Sequence, residues 1–413
     1  MKRIILILSL LIYCTRCHAQ SESDTIMPVL QYEKFVAYKM SLLKFLNPDA
    51  AHIEHQEALK NFYSKLLQSK TAGKKISIVH IGDSHLQAGY FSGMVRRGLQ
   101  QRYGNAGRGV VFPYRLARSN GPHDYVSFSQ NNWKGNRNVV TQDSLSTGIT
   151  GFSVTTNDSN PSVGISLRNN EGIDYRFNKV QVIYKPDSAV MTASDSSEIM
   201  ETVNPIKLSA EINEFRFSNY LTNCKIKINS DTAFTLFGLN LLNDSSGVIY
   251  HTIGVNGAEY NSFLRQPLFF EQVKTLDADL YILSFGTNEA FAKNFDGIIF
   301  IQTVDSFITK LRNVSPSASI LITSPPESCK RIRRGVYVPN PNVIAIRNLL
   351  QKYCIENKIA FFDLYEYSGG KGSMLRFAKS KMSDARRIHL NRSGYEMQGL
   401  MLLQALLKPL TEQ

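Results

Sequence analysis

The feature that most constrains this chain is a short apolar strand that runs directly into a tight turn and then into a helix. Residues 76–81 are mainly apolar, residues 82–85 read Gly-Asp-Ser-His, and residues 87–101 have the character of a helix. In α/β folds, ligands and chemistry lie at the carboxyl ends of such strands. The pattern therefore predicts either a nucleophile at Ser84 or a serine that only caps the helix.

Strands and helices alternate again after Asp244, and two helical segments precede the first strand. The predicted helices span residues 31–46, 48–69, 268–276, 300–313, 341–357 and 391–408, and the further predicted strands span 248–254, 279–285, 318–324 and 359–365. Strands that alternate with helices predict a parallel sheet that is covered on both faces. The fold class is therefore α/β.

A polar segment with short alternating runs separates the two α/β parts. The runs span residues 151–155, 162–167, 179–184, 211–217, 224–228 and 233–242. Short strands between polar turns are typical of an antiparallel sandwich or jelly roll, whereas residues 131–138 and 187–197 are predicted to be exposed loops. We therefore expect helices in 31–70, an α/β domain formed by 71–116 and 244–413, and an all-β domain inserted at 117–243.

Residues 1–19 have the pattern of a secretory signal peptide. A basic start precedes an apolar run at residues 4–13 that is too short to span a membrane, and cleavage is expected after Ala19. A lipoprotein signal at Cys14 or Cys17 is disfavoured because no small residue precedes either cysteine. Since no later apolar run is long enough for a transmembrane helix, we expect an exported protein, periplasmic or extracellular.

The net charge bears on the possible binding partners, and the cysteine content bears on the possible disulfide bonds. The formal net charge of +13 falls to +10 without the signal peptide, which favours either an anionic polymer nearby or simply a solvated basic surface. No nucleic-acid-binding motif is present. Cys224, Cys329 and Cys354 remain after cleavage, and this odd number excludes a complete disulfide framework. Cys329 and Cys354 form a disulfide or stay as buried thiols.

Four turns follow predicted strands or precede the last helix. After the Gly-Asp-Ser-His turn come Ile-Gly-Val-Asn-Gly-Ala at 253–258, Phe-Gly-Thr-Asn-Glu at 285–289 and Ser-Asp-Ala-Arg-Arg-Ile-His-Leu-Asn at 383–391. In a parallel sheet the first three lie at one edge, and the last loop can reach that edge.

This ordered set of turns resembles the SGNH/GDSL hydrolase superfamily over residues 70–115 and 245–410. The position of the β-rich insertion, together with export, resembles the peptidoglycan O-acetylesterase branch, whose members carry a carbohydrate-binding-like jelly roll there. The resemblance implies a three-layer, flavodoxin-like parallel sheet with an inserted all-β, jelly-roll-like domain.

The resemblance also implies roles for individual residues. Ser84 corresponds to the nucleophile and His389 to the general base, while Gly257 and Asn288 correspond to oxyanion donors beside the Ser84 backbone N–H. A serine hydroxyl needs a base to take its proton, and a tetrahedral oxyanion needs donors already aimed at it. Without the resemblance, Gly257 is a turn glycine, Asn288 a helix cap and His389 a surface histidine. His85 is a rival base, but adjacent side chains on one turn usually diverge.

One position departs from the family pattern. An aspartate usually stands three residues before the catalytic histidine, and here that residue is Arg386. We expect Asp384 to fold back toward His389 and Arg386 to point away, because a nearby cation disfavours the imidazolium. The alternatives are a Ser–His dyad helped by a backbone carbonyl, a more remote acid at Asp363, or a site that has lost catalysis.

Other candidate contacts lie near the same edge. Arg331, Arg333 and Arg334 form a basic loop that binds acidic glycan groups or is merely solvated, and Trp133 is a candidate for stacking on a sugar. No metal-binding or nucleotide-binding motif is present, so no metal and no cofactor is expected.

The sequence therefore predicts an exported serine esterase that removes O-acetyl groups from a glycan, with peptidoglycan the first candidate. The alternatives are an O-acetyltransferase of the same family and a glycan-binding protein whose site has lapsed. The sequence indicates no oligomeric state.

Overall fold

The computed structural model describes residues 27–141, 146–168, 172–195 and 201–411. The predicted signal peptide lies outside the described residues. Within the described ranges, no helix combines the length and the apolar character needed to cross a membrane.

The strands are short, mostly four to ten residues, as is usual in globular domains. In chain order they are β1 (Ile53–Glu54), β2 (Lys75–Gly82), β3 (Gly107–Val111), β4 (Tyr125–Phe128), β5 (Lys134–Arg137), β6 (Phe152–Thr156), β7 (Ser162–Leu167), β8 (Phe177–Lys185), β9 (Val190–Ser194), β10 (Thr202–Val203), β11 (Ile206–Ser209), β12 (Ile212–Leu221), β13 (Asn223–Asn229), β14 (Phe234–Leu242), β15 (Gly247–Gly254), β16 (Leu280–Ser284), β17 (Ser319–Thr323), β18 (Cys329–Arg333), β19 (Val336–Pro339) and β20 (Ala360–Phe362).

The α-helices lie before and after the β-rich segment. They are α1 (Val29–Ser41), α2 (Lys60–Thr71), α3 (Ser84–Gln87), α4 (Tyr90–Tyr103), α5 (Tyr260–Leu264), α6 (Pro267–Val273), α7 (Gly297–Val314), α8 (Pro341–Asn357), α9 (Leu364–Tyr367), α10 (Ser373–Lys379) and α11 (Arg392–Thr411). The single helix predicted at 87–101 is two helices, because the chain breaks at Ala88 and Gly89.

The central sheet has six strands in the order β1-β20-β17-β16-β2-β15. All neighbours pair in parallel except β1, which pairs with β20 in antiparallel fashion. β2 lies between β16 and β15 and is buried from Ile76 onward, because both faces of the sheet are covered. The carboxyl ends of β2, β15 and β16 therefore meet at one edge.

Side chains of β2 point alternately to two separate apolar cores. Ile76 and Ile78 pack in the core that contains Leu99 of α4 and Leu403 of α11. Val79 and Ile81 pack in the second core, which extends into the β-rich segment. Because side chains alternate along a strand, one short apolar run anchors both layers of helices.

Two antiparallel sheets form the β-rich segment. One has the order β10-β9-β13-β7-β4, and the other has the order β11-β12-β8-β14-β6-β5 with β3 paired to β14. The second sheet thus begins at β3, before the predicted boundary at residue 117. The loops predicted at 131–138 and 187–197 contain β5 and β9, so those loop predictions are wrong where the structure describes the chain. Pairing with β6 and β13 stabilises these polar or irregular strands.

The β-rich segment shares its core with the α/β part. Phe112 and Phe152 belong to the same apolar cluster as Val79 and Ile81 of β2. The Gln272 side chain of α6 also accepts a hydrogen bond of 2.8 Å from the Ile149 N–H. The insertion is therefore packed firmly against the parallel sheet.

Candidate active site

The Ser84 turn is set by its immediate neighbours in the sheet. β2 ends at Gly82, where a Cβ would lie only 2.5 Å from the Ser284 carbonyl oxygen of β16, so only glycine fits. Asp83 then caps α3, because its Oδ1 accepts a 2.9 Å hydrogen bond from the His85 N–H. Ser84 is the first residue of α3, at the edge where three parallel strands end.

The loop before α11 closes on itself. Ser383 and Leu390 form an antiparallel bridge, and the Asp384 N–H donates to the His389 carbonyl at 2.8 Å. Asp384 Oδ1 accepts from the N–H groups of Ile388 at 3.0 Å and His389 at 3.4 Å. This closed loop brings an acid that is five residues from His389 in sequence beside its ring.

Ser84, His389 and Asp384 form a continuous chain of hydrogen bonds. Ser84 Oγ lies 2.9 Å from His389 Nε2, and His389 Nδ1 lies 3.3 Å from Asp384 Oδ2. Partial burial alone would raise the pKa of Asp384, but hydrogen bonds from the Ile388 N–H and His389 hold it below its usual value. Asp384 is therefore placed as an ionised hydrogen-bond acceptor for the imidazole.

The other acids and bases considered for this role are engaged elsewhere. Asp363 accepts from Arg347 Nε at 2.8 Å and from Ser324 Oγ at 3.0 Å. His85 is buried, with its ring nitrogens 3.0 Å from the Tyr395 hydroxyl and 3.1 Å from Thr287 Oγ1. Burial, and then the neighbouring His389, lower the pKa of His85 to about 3. His85 cannot serve Ser84 as a base, and Asp363 cannot orient His389.

The prediction that Arg386 points away is wrong. Its Nε lies 3.6 Å from Asp384 Oδ2, and its side chain lines the same cleft as Ser84 and His389. The reason is that Asp384 turns back under His389, which carries the carboxylate toward the arginine.

The predicted oxyanion donors Gly257 and Asn288 lie in the Ser84 cleft. Gly257 has φ 85°, a conformation that favours glycine. Asn288 Nδ2 donates to the Ala258 carbonyl at 2.9 Å, and its second hydrogen faces Asp83 Oδ2 at 3.5 Å, the outer limit of a hydrogen bond. One amide hydrogen of Asn288 is therefore weakly held beside Ser84.

A brace around the Gly257 turn was missed by the sequence reasoning. Gln87 Oε1 accepts from the Asn256 N–H at 2.6 Å, and Gln87 Nε2 donates to the Asn120 carbonyl at 2.7 Å. Asn256 Nδ2 in turn donates to Asn120 Oδ1 at 2.7 Å. The one indication of this brace in the sequence is Gln87, a polar residue three positions after Ser84 and therefore one helical turn away.

Two buried carboxyl groups lie beneath the site. Asp83 faces the His85 N–H and the Asn288 amide, and Glu289 accepts from the N–H groups of Tyr260 and Gly286, both at 3.0 Å. Burial raises the pKa of Asp83 to about 7 and that of Glu289 to about 8. These groups fix the turns that carry Ser84 and Asn288.

The cleft has a volume of about 390 Å³ and opens to solvent. Its lining comprises Ser84, Ala88, Asn120, Asn256, Gly257, Asn288, Arg386, His389 and Tyr395. Two other depressions, of about 630 and 400 Å³, lie on the insertion. The hydrogen bond between Ser84 and His389, rather than volume, identifies the cleft as the candidate active site.

The predicted basic loop does not line this cleft. Arg331, Arg333 and Arg334 are exposed on the β18–β19 hairpin, which contacts the His389 loop through a 2.9 Å hydrogen bond from Cys329 N to the Arg387 carbonyl. Trp133 is half-buried against Phe234 and is not an open stacking surface.

The cysteines of the described ranges are buried and unpaired: Cys224, Cys329 and Cys354. In the described part of the chain, no group of three His, Cys, Asp or Glu side chains is placed to hold a metal ion.

Comparisons with known proteins agree with this architecture. Residues 234–397 match the GDSL-like Lipase/Acylhydrolase family. A solved structure of a peptidoglycan O-acetylesterase is similar in fold, with a TM-score of 0.72 and 22% identity over 86% of this chain and 97% of that chain. The predicted fold class, an α/β sheet with added antiparallel sheets, is confirmed.

Two further solved structures are more distant. A lipase/acylhydrolase from Enterococcus faecalis is 17% identical over 40% of this chain and 77% of its own, with a TM-score of 0.31. A family two carbohydrate esterase from Clostridium thermocellum, in complex with cellohexaose, is 11% identical over 63% of this chain and 96% of its own, with a TM-score of 0.32. No curated protein matches the chain in sequence.

Proposed function

From the confirmed resemblance to the SGNH/GDSL hydrolase superfamily, we propose that the chain is an exported serine esterase that removes O-acetyl groups from a glycan. The observation that carries the proposal is the hydrogen-bonded chain Ser84–His389–Asp384 beside Gly257 and Asn288. A lapsed site has no need to keep nucleophile, base and acid in contact.

In the proposed mechanism, the side chains of this site carry out the reaction in two steps. His389 Nε2 takes the Ser84 proton as Oγ attacks the acetyl carbonyl, and Asp384 stabilises the imidazolium. Donors at Ser84 N, Gly257 N and the Asn288 amide receive the negative charge on the carbonyl oxygen. His389 then returns the proton to the departing sugar oxygen, which leaves an acetyl group on Ser84. A water molecule, deprotonated by the same histidine, releases acetate and restores the serine.

Three observations support a glycan as the substrate, with peptidoglycan first. The open cleft has amide side chains of Asn120, Asn256 and Asn288 that can hydrogen-bond to hydroxyl groups. The fold is similar over most of the chain to that of a peptidoglycan O-acetylesterase. The predicted signal peptide and the positive net charge suit an anionic polymer outside the cytoplasm.

The test is acetate release from O-acetylated peptidoglycan and hydrolysis of 4-nitrophenyl acetate by the purified mature chain. Ser84→Ala should lower kcat by at least about 10³-fold on both substrates, because the nucleophile is lost. Ser317→Ala, at an exposed turn, is the matched control and should leave activity unchanged.

Two results would refute the esterase. One is equal activity of Ser84→Ala and wild type. The other is transfer of acetyl groups to an added sugar acceptor in place of hydrolysis, which would identify an acetyltransferase.

A further inference from the structure

We propose that Arg386 binds a carboxylate group of the substrate next to the scissile acetyl ester, so that the enzyme prefers acidic acetylated sugars to neutral ones. This inference rests on the proposed esterase function and specifies the substrate class of that same cleft.

The first observation is the position of the guanidinium. Arg386 is the cationic residue of the cleft lining, which contains no acidic residue. Its side chain is 74% exposed, so the charged group is presented to a ligand rather than buried in the protein. A substrate whose acetyl group reaches Ser84 therefore passes beside a positive charge.

The second observation is that Arg386 is not used by the fold. Its separation of 3.6 Å from Asp384 is too long for a good hydrogen bond, and Asp384 already accepts from Ile388 and His389. Among the residues that the structure describes, neither terminal nitrogen of Arg386 has a hydrogen-bond acceptor. The planar pair of donors that fits a carboxylate is therefore available.

The neighbouring arginine shows what a structural role looks like on this loop. Arg387 Nη1 donates to Ser383 Oγ at 3.0 Å and to the Asp384 carbonyl at 2.9 Å, and its guanidinium lies over the Tyr337 ring. These contacts hold the loop closed. Among the described residues, Arg386 forms no such hydrogen bond and contacts the loop through the 3.6 Å ion pair with Asp384, so loop closure does not explain its position.

The spacing of the loop limits where the carboxylate lies on the substrate. Arg386 and His389 are three residues apart on one closed loop, and both face the cleft. We therefore place the carboxylate on the sugar that carries the acetyl group or on the adjoining unit. Uronic acids and sugars with an ether-linked carboxylic acid share this chemistry.

The experiment compares two substrates that differ only in charge: an O-acetylated methyl glucuronoside with a free carboxylate, and the corresponding acetylated glucuronamide. Acetate release gives kcat/KM for each. In wild type, kcat/KM should be about tenfold higher for the acid, because a charge-assisted pair of hydrogen bonds is lost with the amide. Added salt should reduce this ratio.

Variants of Arg386 distinguish recognition of the substrate carboxylate from other effects of the positive charge. Arg386→Gln should lower the ratio of kcat/KM for the acid to kcat/KM for the amide about tenfold, while Arg386→Lys should keep part of the preference. Arg312→Gln, which removes one exposed charge at the end of α7, should leave the ratio unchanged.

Each contrary result has a distinct meaning. Equal kcat/KM for acid and amide in wild type overturns the inference alone, since the esterase is still active. An equal loss on both substrates in Arg386→Gln also overturns it, because the arginine then acts through Asp384. If wild type hydrolyses neither sugar nor 4-nitrophenyl acetate, the proposed esterase fails and this inference fails with it.

Discussion

One aspartate precedes Ser84 and another contacts His389, and they differ in the properties that decide what a carboxylate can do. Asp83 is adjacent in sequence, 1% exposed and bonded to the His85 N–H, and burial raises its pKa to about 7. Asp384 is 300 positions away in sequence, with a side chain 27% exposed, and its hydrogen bonds hold its pKa below the usual value.

This difference shows that closeness in sequence is a poor guide to which carboxylate contacts His389. A buried carboxyl group with no nearby cation is stabilised in its neutral form, so Asp83 suits a structural cap. A partly solvated carboxylate that accepts several N–H bonds stays ionised, so Asp384 suits the stabilisation of an imidazolium. Substitutions of the two acids should therefore have different consequences.

The largest effect is expected for Asp384→Asn. The amide cannot stabilise the imidazolium and favours the wrong tautomer of His389, so kcat should fall by up to about 10⁴-fold with KM nearly unchanged. Steady-state kinetics on 4-nitrophenyl acetate measure both constants, and Asp231→Asn on the exposed surface of the insertion is the control. A silent Asp384→Asn would instead identify a Ser–His dyad.

A smaller effect is expected for Asp83→Asn. The asparagine keeps an oxygen that accepts from the His85 N–H, so the Ser84 turn should persist and kcat should fall by no more than about tenfold. The same kinetic assay measures it, alongside circular dichroism to verify the fold. A loss as large as that of Asp384→Asn would mean that Asp83 takes part in the chemistry.

The smallest effect concerns stability. Folded Asp83 and Glu289 keep a proton that the unfolded chain has released, because their pKa values are raised to about 7 and about 8. Stability therefore falls as the pH rises, up to about pH 7 for Asp83 and about pH 8 for Glu289. The buried histidines His80, His85 and His251 have pKa values lowered to about 3, so they destabilise the fold only as the pH falls below about 6.5. Between pH 6.5 and 8, the two carboxyl groups therefore account for most of the pH dependence of stability that these buried groups cause.

Urea unfolding at pH 6.5 and at pH 8 tests this assignment. Wild type should lose stability over this interval with a slope of at most about 1.4 kcal/mol per pH unit for each proton. Glu289→Gln should flatten the slope, whereas Glu57→Gln on the surface should not. The change of stability with pH is measured rather than stability itself, because the glutamine amide also leaves one N–H of the site without its acceptor. An unchanged slope in Glu289→Gln would contradict the assignment.

Much of the fold was predictable because its signals are local. Both faces of β2 are buried, which required the apolar run at 76–81 that predicted the strand. The helix α8 begins at Pro341 and ends at Asn357, as its spacing predicted. The insertion was less predictable, because β5 and β9 are strands only through pairing with β6 and β13. Polar or irregular strands carry little periodicity of their own.

For the site, the sequence by itself determined which residue types stand at the ends of β2, β15 and β16, since parallel strands bring those ends to one edge. Only the tertiary structure decided which acid serves His389, where Arg386 lies and how Gln87 braces the Gly257 turn. The physical reason is that apolar periodicity is read from neighbours along the chain. A hydrogen bond between distant residues exists only once packing has fixed both partners to within a fraction of an ångström.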